Sequence, residues 1–273
     1  MTVVLSSVLW QLRRSSIGLL SLLIGIAVFE LIQPIALRSF GDLDRLAPLL
    51  SIVPPSFWAL MNVTPDFLTT VGLAGYLSLG FTHPAYLILS TTTVVWFVAR
   101  SLAGEMERGT IQFTLCRPVS RSRLYLSRVA GFVVVSILVA SIGPIGMLLG
   151  LGIAPPAKAF PYRHFLATGM SSWLLVWAIG GLTLLFSARA NSMGQAIGWA
   201  LGAFIVSYVI DYFAALWAFL QPIDPFSVFH YYDPSQALAR GSLPLLNIVV
   251  LGLVGLIAIV AGGAVFSRRD LPV

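Results

Sequence analysis

The chain has 273 residues, of which 58% are hydrophobic and 10% are charged, and its formal net charge is +6. An ordinary soluble domain carries roughly 25% charged residues. This composition therefore excludes a soluble globular protein and requires the bilayer as the solvent for much of the surface. The arginines lie at the ends of apolar runs, which indicates a membrane topology signal and no nucleic-acid surface. The single cysteine, Cys116, excludes an intrachain disulfide.

The first 16 residues are amphipathic. Trp10 and the pair Arg13 and Arg14 follow a set of aliphatic residues. Tryptophan and arginine together favour the depth of the lipid headgroups. The pattern predicts a short helix over residues 1–16 that lies along the cytoplasmic interface. A plain N-terminal extension of the first span is the alternative.

Six apolar runs are long enough to cross a bilayer, which takes about 20 residues. They cover residues 17–37, 83–100, 129–153, 168–188, 193–220 and 244–266. The fifth run is too long for a simple crossing and predicts a break near Asp211 or Trp217. We therefore expect an all-α membrane protein with six transmembrane helices, folded as a single domain over residues 1–273.

A charged segment separates the second and third spans, at residues 101–128. Gly109 permits a sharp change of direction, Pro118 ends a short apolar run, and Ser120 can cap a new helix. The pattern predicts a helix, a turn, a short amphipathic rod and a return, which together form a cytosolic surface for a soluble partner. The predicted docking residues are Glu105, Glu107, Arg108, Gly109, Thr110, Arg117, Pro118, Arg121 and Arg123. A solvated loop with stop-transfer arginines is the alternative.

Two carboxylates lie within predicted spans, Glu30 in the first and Asp211 in the fifth. Ionisable groups inside a membrane are expensive and often functional. Both positions are nearer the outer interface than the inner one. The two residues are candidates for the lining of a substrate path, and a structural or interfacial role is the alternative.

The fifth span carries Gly194, Gly198 and Gly202 at four-residue intervals. Small residues with this spacing let helix backbones approach closely in lipid. The pattern predicts a close helix contact on this face, either within the chain or across a dimer.

Residues 215–243 are rich in aromatic residues and proline. Asp-Pro steps at 224–225 and 233–234 mark turns. The segment predicts short elements that enter the outer leaflet between spans five and six.

Arginine is concentrated at both termini and in the segment 101–128, so the positive-inside rule places both termini in the cytoplasm.

The sequence lacks the motifs of nucleotide binding, metal binding and hydrolytic catalysis. A Walker A loop needs a lysine after its glycines, and the single lysine, Lys158, does not follow such a motif. We therefore expect no nucleotide site in this chain. The three histidines, His83, His164 and His230, lack the spacing of metal ligands, so we expect no metal site. No nucleophile elbow or zinc-protease helix predicts catalytic residues, which disfavours a membrane-embedded enzyme.

Three segments carry a resemblance to a known family. They are residues 102–110 (LAGEMERGT), residues 117–121 (RPVSR) and residues 266–271 (FSRRDL). With the six-span plan, they resemble the ABC-2 family of transporter permeases. The resemblance implies that the segment between spans two and three is a coupling helix, and that residues 215–243 form re-entrant outer helices. It also implies a dimer of permeases, identical or related, with separate cytosolic ATPase subunits that bind ATP and Mg²⁺.

These observations predict the permease subunit of an ATP-driven exporter in the cytoplasmic membrane. Its expected substrate is an amphipathic drug, antibiotic or lipid-like molecule, because the candidate lining residues are mostly apolar. One alternative is ABC-driven export of sodium or another cation, with Glu30 and Asp211 as the candidate ligands. Another is an ion-coupled secondary transporter that acts without an ATPase.

Overall fold

The computed structural model describes residues 2–39, 54, 72–111, 120–156 and 160–269, and the side chains from residue 6 onward within these ranges. The described residues form α-helices joined by turns. The helices are α1 (Thr2–Ser39), α2 (Leu73–Thr82), α3 (Pro84–Ser101), α4 (Ala103–Glu107), α5 (Arg121–Ile153), α6 (His164–Arg189), α7 (Met193–Leu216), α8 (Pro234–Arg240) and α9 (Leu245–Arg268). The predicted docking residues Arg117 and Pro118 lie outside the described residues.

Six helices in the described ranges are long and apolar enough to cross a membrane, which confirms the predicted six-span plan. They are α1, α3 with its continuation α4, α5, α6, α7 and α9. The third spanning helix begins eight residues before the predicted start, because the Ser120 side chain accepts a hydrogen bond from the backbone of Arg123. The fifth ends at Leu216, so the expected break lies at Trp217 rather than at Asp211.

Helix α1 runs without interruption from Thr2 to Ser39 and includes Pro34. The first 16 residues are therefore continuous with the first span, as the alternative of a plain extension predicts. At 1.5 Å per residue, a helix of 38 residues is about 57 Å long, well beyond the roughly 30 Å of hydrocarbon. A large part of α1 must extend past the membrane core or tilt, and its interfacial placement stays a prediction.

The core lies around α3, whose apolar window is 72% buried, whereas that of α7 is only 17% buried. Helix α1 packs lengthwise against α5, and α6 packs against α9. Glycines allow these approaches: a Cβ atom at Gly146 would overlap the backbone of Ala27, and one at Gly181 would lie 2.6 Å from the Gly255 carbonyl oxygen. Close packing of this kind replaces the hydrophobic effect as the force between helices in lipid.

The glycine face of α7 is open. A Cβ atom at Gly194, Gly198 or Gly202 would meet no other atom within 4 Å. The expected close contact is therefore not made within the described part of this chain, because α7 turns this face away from its neighbours. Contact with a second copy stays a prediction.

The segment after α7 folds back onto the bundle. It forms three short 3-10 turns, Ala218–Leu220, Asp224–Phe226 and Phe229–Tyr231, and then α8. The buried Tyr232 donates a hydrogen bond of 2.9 Å to the Phe81 carbonyl, and the carbonyl of Leu238 lies 2.8 Å from Nδ1 of His164. These contacts join the segment to α2 and α6. Its entry into the outer leaflet stays a prediction.

A candidate docking site between spans two and three

The helical structure is interrupted twice in residues 101–111, which we call the elbow. Helix α3 ends at Ser101, α4 covers Ala103–Glu107, and a helical turn begins again at Thr110. Gly109 between them has φ +66°, a left-handed conformation that glycine adopts without steric cost. The Thr110 hydroxyl closes the turn by donating to the Glu105 carbonyl at 3.2 Å. The predicted helix and turn are therefore present as far as residue 111.

A buried ion pair anchors the elbow. Nη2 of Arg128 donates to Oε2 of Glu105 at 2.6 Å, and the two side chains are only 2% and 4% exposed. Nη1 of the same arginine donates to the Ser7 hydroxyl at 3.3 Å. Helix α4 is thereby tied to the start of α5 and to α1. The carboxylate of Glu105 points into the bundle and is buried, so this side chain does not form part of the exposed surface of the elbow.

Glu107 ties the elbow to the fifth span. Its Oε2 accepts a hydrogen bond of 2.9 Å from the backbone N–H of Met193, the first residue of α7. A carboxylate is favourable here because the first N–H groups of a helix lack internal partners and carry partial positive charge. A displacement of the elbow would therefore act directly on the end of α7.

The C-terminal end of α9 completes the anchor. Arg269 donates to the carbonyl oxygens of Ala188 and Ala190 at 2.9 and 2.8 Å, and to Oδ1 of Asn191 at 2.6 Å. Its own carbonyl accepts a bond of 2.6 Å from Arg121. These bonds join the ends of α5, α6 and α9 at the side of the bundle where the elbow lies.

The outer surface of this region is basic. Arg108, Arg121 and Arg123 are exposed, as are Arg13 and Arg14 on α1. Partial burial lowers the pKa of Arg108, and the neighbouring positive charges of Arg14 and Arg100 lower it further. The fold therefore gathers arginines from α1, the elbow and α5 at one end of the bundle. Such a surface suits a partner that presents carboxylates.

Two anchor residues, Arg128 and Arg269, were not among the predicted site residues. The distance of Arg128 from Ser120 in the sequence could have revealed its buried position. An arginine two turns inside a capped helix lies below the surface and needs an internal carboxylate. Nothing in the local sequence distinguishes Arg269 from its exposed neighbour Arg268.

The two candidate path residues lie in different surroundings. Glu30 is completely buried on α1, where its carboxylate contacts Gly80 of α2, and neither of its oxygens has a hydrogen-bond partner in the described part of the chain. Asp211 lies near the end of α7, beside Asp224 and His230. The fold therefore does not bring Glu30 into the group of residues around Asp211.

Comparison with known proteins gives two findings. A family model described as ABC-2 family transporter protein matches residues 62–271, which include the elbow and five of the six spanning helices. The uncharacterized membrane protein YdbK of Bacillus subtilis (strain 168) is 28% identical over 222 residues, which covers 75% of this chain and 86% of that protein.

Proposed function

The chain belongs to the ABC-2 family of transporter proteins and is a membrane permease component of an ABC transporter. On that premise we propose that it works as an exporter, which moves an amphipathic drug, antibiotic or lipid-like molecule out of the cytoplasm. The family implies association with ABC ATPase partners. We further propose that these are separate cytosolic subunits that bind ATP and Mg²⁺, and that this chain takes no part in the hydrolysis.

The elbow carries the proposal for coupling. It presents the exposed Arg108 to the solvent, while Glu105 and Glu107 fix it to α5, α1 and α7. A partner that moves Arg108 therefore moves the ends of the spanning helices, because a buried ion pair and a capped helix terminus resist local rearrangement. A solvated loop would need no such anchors. Arg121 and Arg123, exposed at the start of α5, extend the docking surface.

An apolar groove supports the proposed substrate class. An apolar groove of about 510 Å³ runs between α5 and α6, and the residues that line it include Ile145, Phe165 and Trp173. An amphipathic molecule partitions into such surfaces from the bilayer, whereas a hydrophilic metabolite does not.

Export of sodium receives less support, because Glu30 lies outside the group of possible ion ligands around Asp211.

The first experiment is co-expression of the chain with its candidate ATPase, followed by reconstitution in lipid. We expect a stable complex, vanadate-sensitive ATP hydrolysis and ATP-dependent efflux of an amphipathic dye from the cytoplasmic side. Arg108→Glu should weaken the complex or uncouple hydrolysis from efflux while the six spans still insert. The matched control is Arg163→Glu, a charge reversal at an exposed arginine in the turn before α6.

Two results would contradict the proposal. If the Arg108→Glu complex couples ATP hydrolysis to efflux as the wild type does, the elbow has no docking role. Ion-driven flux by this chain alone, without any associated ATPase, would favour the secondary transporter.

A further inference from the structure

Three side chains of types that can bind metal ions meet at the end of α7 that is opposite to the elbow. Asp211 comes from α7 itself, Asp224 begins the second 3-10 turn, and His230 lies in the third. Each offers one ligand atom, and these atoms all lie within 4.8 Å of one another. The transport function proposed above makes no use of this group.

The backbone around the group is held in place by hydrogen bonds to α7. Ser227 lies between Asp224 and His230 in the chain, and its hydroxyl donates to the Ser207 carbonyl at 2.8 Å. The Ser207 hydroxyl accepts a bond of 3.0 Å from the backbone of Val228. Ser207 precedes Asp211 by one helical turn, so both residues lie on the same face of α7. The three ligands are therefore presented by a docked turn and a helix.

Two carboxyl groups and one imidazole make up the group. Oδ2 of Asp224 lies 2.7 Å from Nδ1 of His230, while Oδ1 is buried and has no hydrogen-bond partner in the described residues. Asp211 adds a second carboxylate, which forms no salt bridge within the described ranges. A buried acceptor without a partner is costly, and two adjacent carboxylates repel each other when both are ionised. A divalent cation would remove both penalties.

We propose that Asp211, Asp224 and His230 bind a divalent transition metal ion, with Zn²⁺ as the best match. Two carboxylate oxygens and one imidazole nitrogen are ligands that Zn²⁺ accepts, with water in the fourth position. Calcium fits poorly because it takes six to eight oxygen ligands. The His230 side chain is 39% exposed, so an ion in solution can reach the site. Bonds of about 2.0 Å in a tetrahedron would set the ligand atoms about 3.3 Å from one another, so the contact of 2.7 Å between Asp224 and His230 would open on binding.

The expectation that this chain has no metal site rested on the spacing of its histidines along the sequence. The structure changes that argument, because the return of the outer segment onto α7 supplies ligands from separate elements. A bound ion would join this segment to the fifth span. It would thereby restrict the movement of the aromatic cluster that Phe229 forms there with Phe204 and Tyr208.

The test is zinc binding by the purified chain, with any polyhistidine tag removed, measured by isothermal titration calorimetry. We expect one Zn²⁺ per chain. Asp211→Asn, Asp224→Asn and His230→Gln should each weaken binding at least about tenfold, which is roughly 1.4 kcal/mol. His164→Gln is the matched control: it removes another histidine near the same side of the bundle, its amide can still donate to the Leu238 carbonyl, and it should keep the affinity of the wild type.

A second measurement guards against variants that fail because they misfold. His230→Cys, made together with Cys116→Ser, replaces one zinc ligand by another and should retain tight binding. In cobalt-loaded protein, this exchange should add a sulfur-to-metal charge-transfer band that the wild type lacks. Folded wild-type protein that binds no zinc would overturn the proposal. So would zinc binding that is unchanged in all three variants, because the ion would then lie elsewhere.

Discussion

Glu105 and Glu30 show two states of a carboxylate inside a membrane protein. Glu105 is paired with Arg128 at 2.6 Å, whereas neither oxygen of Glu30 has a hydrogen-bond partner in the described part of the chain. Both residues are buried. A buried charge pair contributes to stability only while both partners are present. A buried polar group without a hydrogen-bond partner lowers stability, because its loss of hydration is not compensated. Substitutions at the two positions should therefore have opposite effects.

For the ion pair, we expect Glu105→Ala and Arg128→Ala each to reduce stability strongly, by about 3–5 kcal/mol, because each leaves an unpaired buried charge. The double variant should cost less than the sum of the two single changes. The measurement is thermal unfolding of the purified chain in detergent. Arg123→Ala, at an exposed position five residues before Arg128 in α5, should change stability by less than about 0.5 kcal/mol. Additive effects of the two single changes would show that the pair is not coupled.

For Glu30, replacement by methionine keeps a similar volume and removes the unpaired carboxyl. We expect Glu30→Met to raise the unfolding temperature, because the cost of an unsatisfied buried group is about 1–3 kcal/mol. Ile32→Met, at a half-exposed position on the same helix, serves as the control and should leave that temperature unchanged. A lower unfolding temperature for Glu30→Met would mean that the carboxyl has a stabilising partner. A stable variant that no longer transports would place Glu30 in the substrate path.

At the scale of elements, the elbow depends on the conformation of one turn. Gly109 has φ +66°, and a Cβ atom there would meet nothing within 4 Å. The glycine is therefore required by backbone conformation, since space is available. Two residues that precede it in the chain are fixed, Glu105 by the ion pair and Glu107 by the start of α7. A change at this turn would redirect the chain that follows it while the anchors remain.

We expect Gly109→Ala to cost about 1–2 kcal/mol, the penalty of an L-residue in the left-handed region. It should also reduce ATP-driven transport more than it reduces membrane insertion. Gly252→Ala is the matched control, because this glycine also has no atom within 4 Å of a Cβ position but lies inside α9. There alanine should be neutral or should stabilise by roughly 0.5–1 kcal/mol. Equal transport by both variants would show that the direction of the turn does not matter for coupling.

At the scale of the whole molecule, α7 stands out because its apolar window is only 17% buried. Its exposed face carries Gly194, Gly198 and Gly202, and a Cβ atom at any of them would meet nothing within 4 Å. In lipid, such a face offers close backbone approach to another helix. This is the face on which the predicted second copy of the permease would pack. The end of the same helix is held by Glu107, so the elbow and the predicted interface share one element.

The dimer prediction is tested with a bulky substitution on this face. Gly198→Ile should leave the stability of the monomer unchanged, because the position is open, and should reduce association of two copies in lipid. Association is measured by single-molecule photobleaching of labelled protein in nanodiscs or liposomes. Gly252→Ile on α9 adds the same side chain at another open position and should leave association intact. Dimers that persist with Gly198→Ile would place the interface elsewhere.

The orientation of the molecule is tested with its single cysteine, Cys116, which the positive-inside rule places in the cytoplasm. A membrane-impermeant thiol reagent should label it in inverted vesicles and leave it unlabelled in intact cells. A Ser242→Cys variant, made with Cys116→Ser, should show the opposite pattern, because residue 242 lies between α8 and α9. Labelling of Cys116 in intact cells would reverse the proposed topology.

Much of the candidate docking site could be predicted from local sequence. Gly109 before Thr110 marked the turn, and Ser120 marked the start of α5, because backbone conformation and capping depend on residues close in the chain. The roles of Glu105 and Glu107 could not be predicted. One carboxylate faces Arg128 and the other faces the start of α7. Which way each side chain points depends on how α4 packs against helices that are distant in sequence.

The sequence by itself determined the class, the six spans, the elbow and the family, because hydrophobicity over about 20 residues and the chemistry of turns are local properties. The tertiary structure alone decided three other features. It buried Glu105 against Arg128, left the glycine face of α7 open, and brought Asp211, Asp224 and His230 together. Each of these depends on how separate elements pack against one another, and helix packing in lipid is set by shape and by polar contacts, which hydrophobicity does not encode.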